Sequence, residues 1–457
     1  MMLQRRCNIK ILSPLLNLKK ISFLVPVHSL VRLCFASCLL LLSFTSCQEQ
    51  KTNLTYQHFA QRERRIVIWT NCSEFAQYVE LFNKNNSENR AIIVYKENPA
   101  LSLPVPKDEL PPDIIVGSWL RSDKTKKNFC SLDYLFTHNQ ISSEMFYKNL
   151  LDSGKVRHSQ YLLPVSFNLP AVIFDKTNES FVSENYMLTL EQLREMGSKY
   201  NQKKSNETFQ RIGFAPLNNS SFLSLTAKLF YSDFTEVKNN IVWNEENLEK
   251  TVSFLKSWVK TENQSAQIES DFAFKYLFMP YYRQVSSGRT LFACTSSDSL
   301  FKTMHEQDLN LDYRWLVQDG KIFMDDSFVM MGIFKKSENR TGASEFISWF
   351  FQNEVQREIL ERKESARLET DMFGIAGGFS AVRSVTEHIL PIFYTQLLSN
   401  LPPAQMIQVP QKLPPRWESY KTQVVEPYIR SDITAETSNA KPISEFEKEW
   451  RKKVFAE

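Results

Sequence analysis

The stretch DIIVGSWLRSD, Asp113 to Asp123, joins a short apolar run to a Gly-Ser-Trp exit. The run reads as a buried strand, and Gly117-Ser118-Trp119 is where the chain can expose its backbone. In open parallel sheets, ligands bind just outside the carboxyl ends of strands. Whether Ser118 and Trp119 occupy such a position depends on what flanks them.

Upstream, Ile66–Trp69 is strand-like, and Asn71 with Glu74 three residues later fits a helix cap. Phe75, Tyr78, Val79 and Phe82 follow at i, i+3, i+4 and i+7, the spacing of one apolar helix face. Ala91–Tyr95 is the next strand, and Asp113–Gly117 comes after a proline-rich crossing. A strand–helix–strand unit implies right-handed crossovers and a parallel sheet. Trp69 and Trp119 then lie at the carboxyl ends of two strands, which are neighbours if the strand order reverses beside the first.

Downstream, YLLPVSFNLPAVIFDK is interrupted by Pro164 and Pro170 and suits a strand crossing between units, since proline cannot donate to a ladder. Thr189 and Gln192 form a capping box for a short helix. Residues 246–260 make a helix with Leu248, Val252, Leu255 and Val259 on one face. Leu291–Cys294 is a strand, as is SFVMMGIF, which leads to one long amphipathic helix in ASEFISWFFQNEVQREILERK. FGIAGGFSAVRSV supplies a strand end, two glycines and a helix capped by Ser380. The tail, with LPP, LPPRW and EPY, is too rich in proline for a sheet interior and is expected to wrap the surface. The picture is two α/β lobes with several crossings between them.

A chain of 457 residues, 42% hydrophobic and 23% charged, is globular and long enough for about two to three domains. Its formal charge of +4 comes from the first 46 residues, which carry Arg5, Arg6, Lys10, Lys19, Lys20 and Arg32 and no acid. The remainder is nearly neutral and has no long run of like charge, which argues against nucleic acid as a partner. Residues 33–44, LCFASCLLLLSF, are too short to span a bilayer, which takes about 20 residues, but suit the apolar core of a secretory signal. Thr45-Ser46-Cys47 resembles a bacterial lipobox, with Phe44 where leucine is usual. Residues 1–46 are accordingly read as a lipoprotein signal peptide, Cys47 as the lipidated residue and 47–64 as a flexible tether. Cys72, Cys130 and Cys294 remain, an odd number at wide spacing that forms neither a disulfide framework nor a metal site.

Four landmarks, in this order, resemble the family 1 extracellular solute-binding proteins of ABC importers, the sugar-binding lipoproteins above all. They are RIVIWTN…FAQYVELFNKNN, PPDIIVGSWLRSD, LPVSFNLPAVIFDKTN…LTLEQLREM and SGRTLFACTSS. The chain is also similar to the divergent solute-binding lipoproteins of spirochaetes. The resemblance implies the type II periplasmic binding protein fold, two lobes each built on a parallel-rich sheet flanked by helices. Lobe 1 is placed at 65–166 plus 286–325 and lobe 2 at 167–285 plus 326–457. The interlobe segments are placed near Pro164–Leu169, Ser286–Gly288 and Asp325–Ser327, about which a cleft closes on its ligand.

A small solute, a carbohydrate above all, is the implied ligand, since Trp and Tyr faces stack on sugars while short polar side chains bond their hydroxyls. Ser118, Trp119 and Trp69 fall on the implied cleft wall and Arg121 at its rim. Asn168 sits in the first crossing, and Phe379 and Ser380 follow Gly377-Gly378, where backbone can approach a ligand. Phe214 and Trp315 read as packing residues. The implied partners are an ABC permease and, through the N-terminal lipid, the membrane. The protein is read as a monomer without cofactor or metal, on the periplasmic or extracellular face of the envelope.

An enzyme is disfavoured. GxSxG, HExxH, GxGxxG and P-loop motifs are all missing, and no two of His58, His138, His158, His305 and His388 fall within one helical turn. Asp325-Asp326 reads as a structural turn. The alternative to a transporter component is an envelope structural or adhesion lipoprotein that keeps the fold with a sealed cleft.

Overall fold

The first sheet is built where the alternating pattern begins. Strand β1 (Arg65–Thr70) leads through helix α1 (Phe75–Asn85) to β2 (Arg90–Tyr95), and the chain returns to β3 (Ile114–Gly117) on the other side of β1. Both neighbours run parallel to β1, with Ile66 opposite Ala91 and Thr70 opposite Val116. Asp113 fastens this arrangement at the amino end of β3. One carboxylate oxygen accepts the Val67 N–H at 2.8 Å, and the other accepts the Ser337 hydroxyl and the Asn339 N–H. The computed structural model describes residues 65–205, 208–366, 372–435 and 441–455, so the signal segment, Cys47 and the tether lie outside the described residues.

The chain leaves this sheet along β4 (Leu163–Phe167) and, after two residues, enters the second sheet as β5 (Pro170–Asp175). There follow β6 (Met187–Leu188), α2 (Leu190–Tyr200), α3 (Ser220–Leu229), α4 (Glu245–Thr261), α5 (Ala266–Lys275), α6 (Tyr281–Ser286), β7 (Ala293–Ser296), α7 (Ser297–Glu306) and β8 (Leu311–Leu316). It re-enters the first sheet as β9 (Val329–Ile333), followed by α8 (Arg340–Phe350), α9 (Asn353–Ala366) and β10 (Phe379–Ser380). The strand orders are β10-β4-β9-β3-β1-β2 and β7-β5-β8-β6. In the second sheet β5 runs antiparallel to both β7 and β8, and only the β8–β6 pair is parallel.

There are two main cores, and both β5 and β8 face each of them, Tyr313 and Trp315 of β8 lying in the first and Leu316 in the second. Ala171 and Ile173 face the first core while Val172 and Phe174 face the second, as the two-residue side-chain period requires. The sheets divide the chain differently from the boundaries expected above. Residues 286–325 supply β7 and β8 to the second sheet, whereas β9 and β10 return to the first. Crossings lie between β4 and β5 and at Asp325–Ser327, but Ser286–Gly288 is a helix end inside the second lobe. Gly288 adopts a positive φ there and closes α6, as a C-terminal glycine commonly does. The third passage runs instead between Leu397 in the first core and Leu413 in the second.

The tail is more than a surface wrap. Trp417, Tyr420, Val424, Val425, Ile429, Ile433 and Trp450 are buried in the second core. The prolines shape its entry, and helical periodicity takes over beyond Pro415. The capping box Thr189–Gln192 forms as read, and α4 buries Leu248, Val252, Leu255 and Val259. The box at Asn71 and Glu74 does not form, because Glu74 is buried in an ion pair with Lys363 beneath α1. The long helix expected after β9 breaks at Phe351-Gln352, where consecutive Phe350 and Phe351 are both buried and Phe351 meets the Phe146 ring at 5.0 Å.

Candidate functional site

Three carboxyl strand ends of the first lobe open onto one cleft of about 470 Å³ between the lobes. Asn71 follows β1, Asn98 and Pro99 follow β2, and Ser118 and Trp119 follow β3. Gly117 lets these loops converge. A Cβ on it would stand 3.0 Å from the Pro99 ring and 3.4 Å from the Asn71 side-chain oxygen. Trp119 then turns into the left-handed region at φ 65°, a conformation that costs a bulky residue roughly 1–3 kcal/mol and persists where the surroundings impose it. Its half-buried ring packs against the edges of both cores and lines the cleft. The Ser118 hydroxyl donates to the Ser327 carbonyl, joining strand exit to crossing.

The facing wall belongs to the second lobe. Ser221, Ser224, Leu225 and Lys228 stand on one face of α3 at i, i+3, i+4 and i+7. Pro170 opens β5, Cys294–Ser296 end β7, and Asp325–Ser327 form the crossing; Glu418 and Lys421 reach in from the tail. The lining is thus dominated by hydroxyls, amides and a few charges, with Trp119 as its aromatic member.

The charges are arranged with care. Asp326 pairs with Lys228 and accepts the Trp417 indole N–H at 2.7 Å. Burial pushes its carboxyl up, but Lys228 and Lys421 outweigh that and hold it below the usual range. Asp325 accepts the Ser296 hydroxyl at 2.5 Å, and burial pushes it above the usual range. Burial, with Asp325 beside it, pushes the Cys294 thiol up to about 12, so it is no nucleophile at neutral pH. All three described cysteines are unpaired.

Of the residues expected at the site, the structure brings Ser118 and Trp119 into the cleft. Trp69 is fully buried; its indole N–H donates to the Leu110 carbonyl at 3.2 Å, and the Lys96 ammonium lies 4.4 Å from the ring centre. The inward face of β1 at that point belongs to the core, which took the side chain with it. Arg121 is committed to the tail, donating to the carbonyls of Pro410 and Gln411 at 2.8 and 2.9 Å above the Phe328 ring. Asn168 locks the first crossing: its amide donates to the Gly377 carbonyl at 2.7 Å and accepts the Ser297 hydroxyl at 2.6 Å.

Phe379 and Ser380 are buried. Phe379 packs among Phe167, Phe301, Trp315 and Phe373, and Ser380 donates to Gln356 at 2.6 Å. The close approach that Gly378 allows is to the Phe167 carbonyl, 2.6 Å from where a Cβ would stand. Phe214 and Trp315 are core residues, as read. Sequence reasoning missed the α3 face and the Asp325-Asp326 pair. The pair did carry a signal, lying in a segment already read as interlobe.

The chain belongs to the bacterial extracellular solute-binding proteins, whose family profile matches residues 77–365. This is a family of binding proteins that act in the periplasm or outside the cell. Among solved structures, CpMnBP1 with mannotriose bound aligns with a TM-score of 0.55 at 14% identity, over 84% of this chain and 99% of that one. An ABC substrate-binding protein from Listeria monocytogenes in complex with cycloalternan gives 0.56 at 12% identity, over 86% and 99%. The cyclic alpha-maltosyl-1,6-maltose binding protein from Arthrobacter globiformis gives 0.55 at 14%, over 86% and 98%. At such identities the likeness is one of fold, the two-lobed α/β architecture. No curated protein matches by sequence.

Proposed function

We propose that this chain is the solute-capturing lipoprotein of an ABC importer, that its ligand is a carbohydrate held in the interlobe cleft, and that it passes the ligand to a permease. The observation that carries the reading is Trp119, held in a strained conformation at the carboxyl end of β3, in a cleft whose other lining is mainly hydroxyl, amide and charged side chains. An aromatic face stacks on the C–H surface of a sugar while Asn71, Asn98, Ser118, Thr295 and the Asp325 carboxyl are suited to its hydroxyls. The oligosaccharides named for the similar structures favour the same class. Lipid on Cys47 tethers the body to the envelope, and the importer supplies the energy.

A thermal-shift screen against oligosaccharides, amino acids, peptides and polyamines tests this. A ligand at 100 times its dissociation constant adds about 2.7 kcal/mol of stability. Stabilisation by oligosaccharides alone is the expected result. Silence across the panel replaces this reading with an envelope structural lipoprotein. For the anchor, Cys47→Ser is expected to abolish partition into the detergent phase, and unchanged partition rejects lipidation.

A further inference from the structure

Helix α5 buries one apolar face and ends in an exposed apolar tip. Ile268, Phe272 and Tyr276, four residues apart, pack with Phe209, Ile212 and Ala215 into a small third cluster. Phe274 stands in the last turn of α5, and Leu277 and Phe278 follow in the turn after Lys275, where the Leu277 N–H donates to the Phe274 carbonyl. They are 78%, 63% and 96% exposed. Large contiguous apolar exposure on a soluble body marks an interaction site.

Cations rim this tip. The Lys275 ammonium and the Arg289 guanidinium lie 5.1 and 5.7 Å from the Tyr276 ring centre, and Arg283 lies 5.8 Å from that of Tyr282. Among the described residues none of the three is paired with a carboxylate; Arg283 donates to the Gln307 amide. Of the acids on α5, Asp271 is an exposed carboxylate one turn before Lys275, and Glu269 points inward. Asp271 accepts the Gln267 amide at 2.8 Å, and Glu269 is buried, facing Asn263.

We propose that the Phe274–Phe278 tip is a membrane-docking wedge for an anionic bilayer surface. The shape favours lipid over protein. Phe278 stands clear of its surroundings, as a side chain entering the headgroup layer must, whereas a protein interface presents a broad, well-packed patch. Charge complementarity fits as well, because Lys and Arg side chains without a carboxylate partner beside an apolar tip attract anionic headgroups. Docking goes beyond solute capture and does not depend on a lipid at Cys47.

The test is cosedimentation of residues 48–457, whose two cores are drawn wholly from residues 66–450, with phosphatidylcholine vesicles and with vesicles containing phosphatidylglycerol. Binding to the anionic vesicles is expected, stronger by about tenfold than to the neutral ones and weakened by salt. F274S/L277S/F278S should abolish it, and K275Q/R283Q/R289Q should remove the anionic preference; both variants should retain the wild-type melting temperature. No binding to either vesicle, or binding untouched by both variants, overturns the proposal. So does sedimentation showing that the apolar tip pairs two copies of the chain, with dimers lost in the triple serine variant.

Discussion

Asp325 and Asp326 are adjacent in the chain and titrate in opposite directions. Asp326 has the Lys228 ammonium and the Trp417 indole N–H, and is held low; Asp325 has the Ser296 hydroxyl and is pushed up by burial. Asp326 therefore stabilises the fold above the ordinary carboxylate range, and that contribution is lost as pH falls. Asp325 behaves the other way, its contribution being lost as pH rises through its raised pKa. Asp326→Asn is expected to cost about 3 kcal/mol at neutral pH, because Lys228 loses its buried partner. Asp325→Asn should leave stability unchanged or raised while weakening ligand binding. Denaturant titrations of the two variants check the contrast, and equal losses would reject it.

Trp119 and Trp69 separate binding from stability. Trp119→Gly relieves the positive φ and removes the ring from the cleft wall, so ligand affinity should fall by more than about tenfold, or 1.4 kcal/mol, with a modest loss of stability. Trp69→Ala hollows the first core and should cost roughly 3–5 kcal/mol. Calorimetry with the ligand found by screening, beside melting curves, distinguishes the two. Full affinity in Trp119→Gly would remove this residue from the site.

Arg121 clamps the first lobe to the tail. Burial lowers its pKa to about 10, so it is charged throughout the physiological range. Arg121→Ala leaves the Pro410 and Gln411 carbonyls without their donor and should cost about 2 kcal/mol. Faster amide exchange at Gln411, Lys412 and Leu413 is the specific signature, and unchanged exchange there would show that the clamp holds nothing.

Glu269 carries a pH dependence of stability. Burial raises its carboxyl to about 7, although the Leu217 N–H at 2.9 Å and the Asn263 amide at 2.7 Å pull it down. A raised folded-state pKa means that its contribution is full below about 4.5 and is lost as pH rises through about 7. Across that window wild type should lose roughly 3 kcal/mol relative to Glu269→Gln. Unfolding free energies of both proteins at the two ends of the window test this, and parallel pH profiles would refute it.

Much of the architecture was legible because it is written in short periods. The α4 face and the Thr189–Gln192 box follow from spacing, whereas the neighbouring of β1 and β3 rests on a reversal of strand order that spacing leaves open. The placing of Ser118 and Trp119 outside a strand end follows from spacing too. Trp69 shows where this reasoning stops. A tryptophan at a strand end suits a cleft wall or a core equally well, and only the Leu110 backbone packed beside it decides.

The amino-acid sequence by itself determined the alternation of strands and helices, the two-lobed class and the loop after Gly117, because each depends on residues within about one helical turn or one crossover of each other. Tertiary structure alone decided which lobe owns residues 286–400, that the tail completes the second core, and which charge meets which. Glu74 finds Lys363 across 289 positions and Arg121 finds Pro410 across 289. Such pairings have no period to read. They arise when burial leaves a charge or a carbonyl to be satisfied by whichever groups the fold brings beside it.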